Sequence, residues 1–186
     1  MNIHLINSIE ALLYGAGRPI TLSEIRNILG NTSDGDIELS DIKKALNFLE
    51  QRYIDTSIEI REVASGYRLQ IKQDHSTSLA NLWNDKAPRI SKALMETISI
   101  IAFKQPVTRG DIEDIRGVSV STRSIRSLLE RNWIKVSGFR DVPGRPALYV
   151  TTKEFLDDLN LKDISDLPEL PEITDASEDD LLSKVI

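Results

Sequence analysis

The chain has 186 residues, 40% of them apolar and 28% charged, which is enough to bury a core and makes two small domains as plausible as one large one. It has no cysteine, which excludes disulfides and thiolate chemistry, and no apolar run longer than four residues, far short of a membrane span. Its net charge of −6 is uneven: residues 1–87 carry −3, residues 88–152 carry +5 and residues 153–186 carry −8, so a basic middle lies between acidic ends.

The opening stretch MNIHLINSIEALLYG lacks a basic leader region, and Leu5, Ile6, Ile9, Leu12 and Leu13 recur at helical spacing. This predicts an amphipathic helix rather than a signal peptide, and a cytoplasmic location is expected. A corner follows at PITLSEI, Pro19 to Ile25. Proline ends the preceding helix, and Thr21 with Glu24 has the spacing of a capping box that starts the next one. Leu22, Ile25, Ile28 and Leu29 mark that second helix. A polar loop containing Asp34-Gly35-Asp36 leads to a third, with Ile42, Ala45, Leu46 and Leu49 inward. The period then changes to two: SIEIREV and YRLQIK flank a short turn, and Tyr67, Leu69 and Ile71 alternate with Arg68, Gln70 and Lys72. Three helices followed by a β-hairpin make a winged helix.

The same plan recurs 87 positions later, where PVTRGDI (Pro106 to Ile112) matches PITLSEI in its proline, its β-branched residue, its threonine and its acid. Leu94, Ile98, Ile101 and Ala102 mark a first helix, Ile112 and Ile115 a second closed by Gly117, and Ser121 to Asn132 a third with Ile125, Leu128 and Leu129 inward. WIKVSG and ALYVTT form the hairpin, with Trp133 and Tyr149 as packing residues. Thr151 and Glu154 then repeat the capping-box spacing ahead of KEFLDDLNL. The expected fold class is mainly α with small β-hairpins, as tandem winged-helix domains. The expected division is a first winged helix at 1–73, a linker at 74–91 that holds a short helix, a second winged helix with a terminal helix at 92–167, and an acidic, mobile tail at 168–186.

Catalytic chemistry finds little support. His4 and His75 have no serine, carboxylate or second histidine at triad or ligand spacing. There is no phosphate-binding glycine loop, and Gly15 and Gly17 lack the third glycine of a dinucleotide fingerprint. Asp34 to Glu38 lacks the spacing of a calcium loop. Asp111, in an Arg-Gly-Asp tripeptide, is better used as a helix cap, and Asn31-Thr32-Ser33 matters as a glycosylation acceptor only after secretion. The chain is expected to be no enzyme, with no metal and no cofactor. Nucleic acid is the serious alternative, because the second module's third helix carries Arg123, Arg126 and Arg131 and its wing Arg140 and Arg145. Composition alone leaves DNA binding and protein binding open.

The blocks LMETISIIAFKQPVTRGDIEDIRGVSV and VPGRPALYVTTKEFLDDLNLKDISDLPEL resemble the segregation and condensation protein B (ScpB) family, and SIEALLYGAGRPITLSEI and GYRLQIK are similar to it as well. The resemblance covers about residues 5–172. It implies a kite subunit of the bacterial SMC–kleisin condensin complex, homodimeric through its first winged helix. The second winged helix would grip the kleisin ScpA, and the SMC ATPase would be reached through ScpA. Such a protein is nucleoid-associated, serves chromosome condensation and segregation at cell division, and contacts DNA indirectly. The runner-up is a winged-helix transcriptional regulator. Residues of the family blocks that the fold does not require to be polar are the candidate partner contacts: Lys104, Gln105, Arg109, Arg116 and Arg145. Tyr149 joins them as a packing residue that can also face a partner. Where the family has Phe-Gly-Leu, this chain has Leu159-Asn160-Leu161, and asparagine is the next-best residue for a left-handed helix terminator. Phe139 stands where the family has a polar wing residue.

Overall fold

A computed structural model of the chain describes residues 2–30, 37–83 and 90–168, without the side chains of Asn81 and Trp83. The tail from Glu169 onward and the loop around Asp34-Gly35-Asp36 lie outside the described residues.

The first half is built from α1 (Ile3–Ala16), α2 (Leu22–Gly30), α3 (Leu39–Arg52) and a hairpin of β1 (Ile58–Val63) and β2 (Gly66–Ile71). Asn2 caps α1 by accepting from the amides of His4 and Leu5, and Gly17 ends it at φ 63, a left-handed conformation that costs glycine little. Ile6, Ile9, Leu13, Ile25, Ile42, Leu46 and Leu49 close into one core with Ile20 and Ile60. A short 3-10 turn and α4 (Ser76–Trp83) follow, the helix expected inside the linker.

The second half repeats the order with α5 (Lys92–Lys104), α6 (Arg109–Arg116), α7 (Thr122–Glu130), β3 (Ile134–Phe139), β4 (Ala147–Thr151) and α8 (Lys153–Asp158). Its core joins Leu94, Ile98, Ile101, Ile112, Ile125 and Leu128 to Trp133 and Phe155. Trp133 meets Phe155 edge-on at 5.8 Å, and its indole N–H donates to Asp158 at 2.7 Å. The fold is a pair of winged helices.

The repeated corner has a structural job beyond starting a helix. Ile20 exchanges both backbone hydrogen bonds with Tyr67 at 2.9 and 2.8 Å, and Val107 does the same with Tyr149 at 3.2 and 2.7 Å. In each half the β-branched residue after proline thus ties onto the wing through a one-residue antiparallel bridge. The corner pulls the hairpin onto the helices, which is why proline, β-branched residue and threonine recur together.

Several details depart from the sequence reading. Ile28, Ile115 and Leu129 were expected inward but are 39%, 54% and 37% exposed. Helices of eight or nine residues offer the core one narrow stripe, which Ile25 with Leu29, Ile112, and Ile125 with Leu128 fill. Helix α7 is shorter than 121–132, since Ser121 is its cap and Asn132 has left the helix at φ 55. The cap of α8 is Thr152 and not Thr151, because Thr151 is still in β4; Thr152 accepts from the amide of Phe155. Thr21 accepts from the amide of Glu24, but the Glu24 carboxylate turns to Arg18 instead of closing the box. Of the three boxes expected from sequence, Thr108 with Asp111 closes reciprocally, and Asp163 with Asp166 closes another at the short 3-10 turn after α8. The alternation of β2 is blunted too, with Arg68 and Gln70 half-buried like Tyr67 and Leu69. The outer face of this wing is covered by the end of α8: Arg68 donates to the Asp157 carbonyl at 2.9 Å and to Asn160 Oδ1 at 2.7 Å.

Candidate functional site

The six residues singled out from sequence surround the second corner without forming one cluster. Lys104 is the last residue of α5 and exposed. Gln105 is half-buried, and its Oε1 accepts from the Thr151 amide at 2.6 Å and from the Thr151 hydroxyl at 3.0 Å. It therefore fastens β4 to the end of α5. Tyr149 is half-buried on that strand, in the bridge to Val107. Arg109 and Arg116 stand at opposite ends of α6. Arg109 pairs with Glu113 at 3.0 Å and donates to Thr122 Oγ1 at 3.2 Å. Arg145 is exposed near the wing turn at φ 39, close behind Gly144 at φ 87.

Arg116 is the least ordinary of the six. Its side chain is 11% exposed, Nη2 donates to Glu96 at 2.8 Å, and Nε is buried with no hydrogen-bond partner. A buried donor without a partner is costly. The chain around the pair is apolar and open: Met95 beside Glu96, and Ile115 and Val118 beside Arg116, are 41%, 54% and 56% exposed. This mixture of uncovered apolar side chains and a poorly satisfied arginine on α5 and α6 suits contact with a protein chain.

Two carboxylates brace this surface: Glu113, which the sequence did not single out, and Asp111, which it marked only as a helix cap. Glu113 accepts from the Val120 amide at 2.8 Å, and that bond, with the Arg109 pair, holds its carboxyl below the ordinary range. Asp111 completes the α6 cap and binds Arg140 of the wing at both oxygens. Arg140 first, and the Thr108 amide second, lower the Asp111 carboxyl to about 2. The reach to the wing has no sequence signal, because Asp111 and Arg140 meet only through the fold.

Part of the basic face considered for DNA is engaged within the module, while Arg123 and Arg145 are exposed and the Arg126 pair is open to solvent. Arg126 pairs with Glu130 at 3.4 Å, Arg131 lies 5.5 Å over the Trp133 ring, and Arg140 is held by Asp111. His4 is exposed and lies near Ser8 at 3.4 Å, and His75 is exposed in the 3-10 turn. Among the described residues no group of three or more histidines, cysteines or acids could hold a metal ion, and no helix is long and apolar enough to cross a membrane.

The family model described as segregation and condensation complex subunit ScpB matches residues 7–170. The chain belongs to the ScpB family. The segregation and condensation protein B homolog of Coxiella burnetii is 44% identical over 167 residues, which is 90% of this chain and 79% of that one. Segregation and condensation protein B of Clostridium tetani is 37% identical over 168 residues, 89% of this chain and 85% of that one. These relatives are named for segregation and condensation and not for a reaction. Among solved structures, ScpB from Mycobacterium tuberculosis aligns with a TM-score of 0.39 at 25% identity, over 83% of this chain and 94% of that chain. A dimer of an ScpB N-terminal domain complexed with an ScpA peptide aligns with a TM-score of 0.36 at 25% identity, over 41% of this chain and 91% of that one.

Proposed function

We propose that this chain is a non-enzymatic subunit of the bacterial SMC–kleisin complex that binds the kleisin ScpA and supports chromosome condensation and segregation during cell division. The observation that carries the reading is the ScpB family match, which runs through both winged helices from residue 7 to residue 170. In this reading residues 1–73 form a self-associating module, residues 74–91 connect, and residues 92–167 grip ScpA. A homodimer then offers two gripping modules, and the second contact forms at raised effective concentration. The α5–α6 surface with Met95, Arg116 and Ile115 is the part of the second module best suited to that grip, and a basic module fits an acidic kleisin segment. The SMC ATPase and the nucleoid are reached through ScpA. Direct DNA readout has less support, since Arg131 lies over Trp133 and Arg140 is held by Asp111 inside the module.

Calorimetric titration of the full chain with the central segment of the ScpA encoded in the same genome, in physiological salt, tests the reading. Saturable binding at one segment per one or two chains is expected. A folded dimer that gives no heat at several temperatures would sink it.

A further inference from the structure

The positive charge of the second module is concentrated in one stretch. Residues 92–121, which hold α5 and α6, have four bases and four acids. Residues 122–146, which hold α7, β3 and the wing turn, have six bases and two acids, a net +4. Arg123, Lys135 and Arg145 are exposed, and their side chains make no ion pair or hydrogen bond among the described residues.

Two contacts bring the ends of this stretch onto one face. Arg140 of the wing is held by Asp111 in the first turn of α6. Arg109, in the same turn, donates to Oγ1 of Thr122, the first residue of α7. The wing turn and the start of α7 therefore flank the same helix end. Arg123 follows Thr122, and the Arg140 amide donates to the carbonyl of Pro146, beside Arg145, at 2.9 Å. Apolar groups lie among these charges: Phe139 and Val142, on either side of Arg140 and Asp141, are 60% and 44% exposed.

The chain itself carries the complement of this face. Residues 169–186, outside the described residues, have six acids and one lysine, a net −5. Glu178, Asp179 and Asp180 stand together there, and Leu181, Leu182, Val185 and Ile186 come after them. Ile164 and Leu167 pack on the second core, so this segment leaves from the second module. The chain from Leu167 to Glu178 reaches about 35 Å when extended, more than the width of about 30 Å of a small domain. A second copy is a poor occupant of the same face, because like charges would then meet.

We propose that residues 178–186 of this chain dock on the α7–wing face of their own second module and mask it. Glu178, Asp179 and Asp180 face Arg123 and Arg145, and Leu181 and Leu182 cover Phe139 and Val142. The tether makes the contact intramolecular, so charge pairs that are weak singly suffice. A polyanion or an acidic peptide that comes to this face must first displace the segment. The inference stands apart from the kleisin-binding reading and does not rest on it.

The test is paramagnetic broadening of amide signals in the full chain. The chain has no cysteine, so Ser183→Cys lets a nitroxide attach at one place. The amides of Arg123, Phe139 and Arg145 broaden, those of Tyr14 and Ile115 do not, and the effect fades as salt is raised from about 0.05 M to about 0.5 M. Glu178→Gln with Asp179→Asn and Asp180→Asn removes it. A random DNA duplex of about 20 base pairs then serves as a polyanion probe, and the neutralised variant binds it about fivefold tighter than the parent. Asp55→Asn with Asp74→Asn and Asp114→Asn removes the same charge from exposed positions elsewhere and leaves probe binding near the parent's. Broadening spread evenly over both modules, or centred on Met95 and Ile115, overturns the proposal. Broadening that reaches only chains without the nitroxide, mixed with labelled ones, overturns it by assigning the face to a second copy's segment. Equal probe affinity in the parent and both variants overturns the mask.

Discussion

Asp111 and Arg140 meet through two parallel hydrogen bonds, Nη1 to Oδ1 at 2.8 Å and Nη2 to Oδ2 at 2.7 Å. The same carboxylate accepts from the Thr108 amide at 2.8 Å, so one side chain caps α6 and anchors the second wing.

This arrangement sets a direction for acid sensitivity. The Asp111 carboxyl sits at about 2 against an ordinary 3.8, so the folded state holds its proton less tightly than the unfolded state. The stability it contributes is present in full above pH ~4 and is lost as pH falls from there through about 2. Arg140→Ala should lower the unfolding free energy at pH 7 only modestly, because the pair is partly open to screening water. Urea titrations of both proteins from pH 7 to pH 2 should show that deficit narrowing below pH ~4. A deficit equal at the two extremes would contradict the assignment.

Gly66 gives a sharper steric prediction. A Cβ there would lie 2.3 Å from the carbonyl oxygen of Ile20, at φ 132. Neither atom can give way, because the Ile20 carbonyl accepts from Tyr67 at 2.8 Å. Gly66→Ala should cost about 3 kcal/mol and loosen the first wing from its corner. Gly138→Ala, where nothing lies within 4 Å, should stay within about 0.5 kcal/mol. Thermal unfolding of the two variants side by side decides it, and equal losses would remove the role given to the Ile20 bridge.

Gln105 separates a structural role from a contact role. Replacing it with leucine leaves the Thr151 amide and hydroxyl without their acceptor, and the expected loss is about 1–2 kcal/mol. Exchange of the Thr151 amide should quicken at the same time. Lys104→Ala, at the exposed neighbouring position, should change stability by less than about 0.5 kcal/mol. A Gln105→Leu protein as stable as the parent, with a slow Thr151 amide, would return Gln105 to the surface-contact class.

The fold was legible because two signals coincide in each half: helical apolar spacing, and a proline–β-branched–threonine corner. Leu94, Ile98, Ile101 and Ala102 needed only the spacing, and all four are buried. The αL stop at Asn160, φ 59, followed from the family resemblance, asparagine standing where the family has glycine. Ile115 and Leu129 misled because periodicity marks a stripe but not how wide a stripe a two-turn helix can bury. The surface roles were harder. Glutamine before Pro106 reads as a free polar residue until β4 is seen to present its amide there.

The contact between the modules yields the last prediction. The end of α8 and the residues just after it offer carbonyls, and the first wing supplies donors: Arg68 to the Asp157 carbonyl, Arg61 to the Asn160 carbonyl at 3.3 Å and the Ala64 amide to Leu161 at 3.0 Å. Asp157, 8% exposed, returns a bond by accepting from the Ser65 amide at 3.0 Å, and Lys162 pairs with Glu62 at 3.0 Å. The two hydrophobic cores are separate clusters, so this joint is held by hydrogen bonds and charge. Such a joint weakens in salt, whereas the cores on either side do not. Arg61→Ala with Arg68→Ala should let the modules swing apart, raising the radius of gyration in small-angle scattering, while unfolding free energy falls by less than about 2 kcal/mol. The parent protein should approach the variant's scattering curve as salt is raised. A double variant whose curve matches the parent's at every salt concentration would mean that the arginines do not set the angle between the modules.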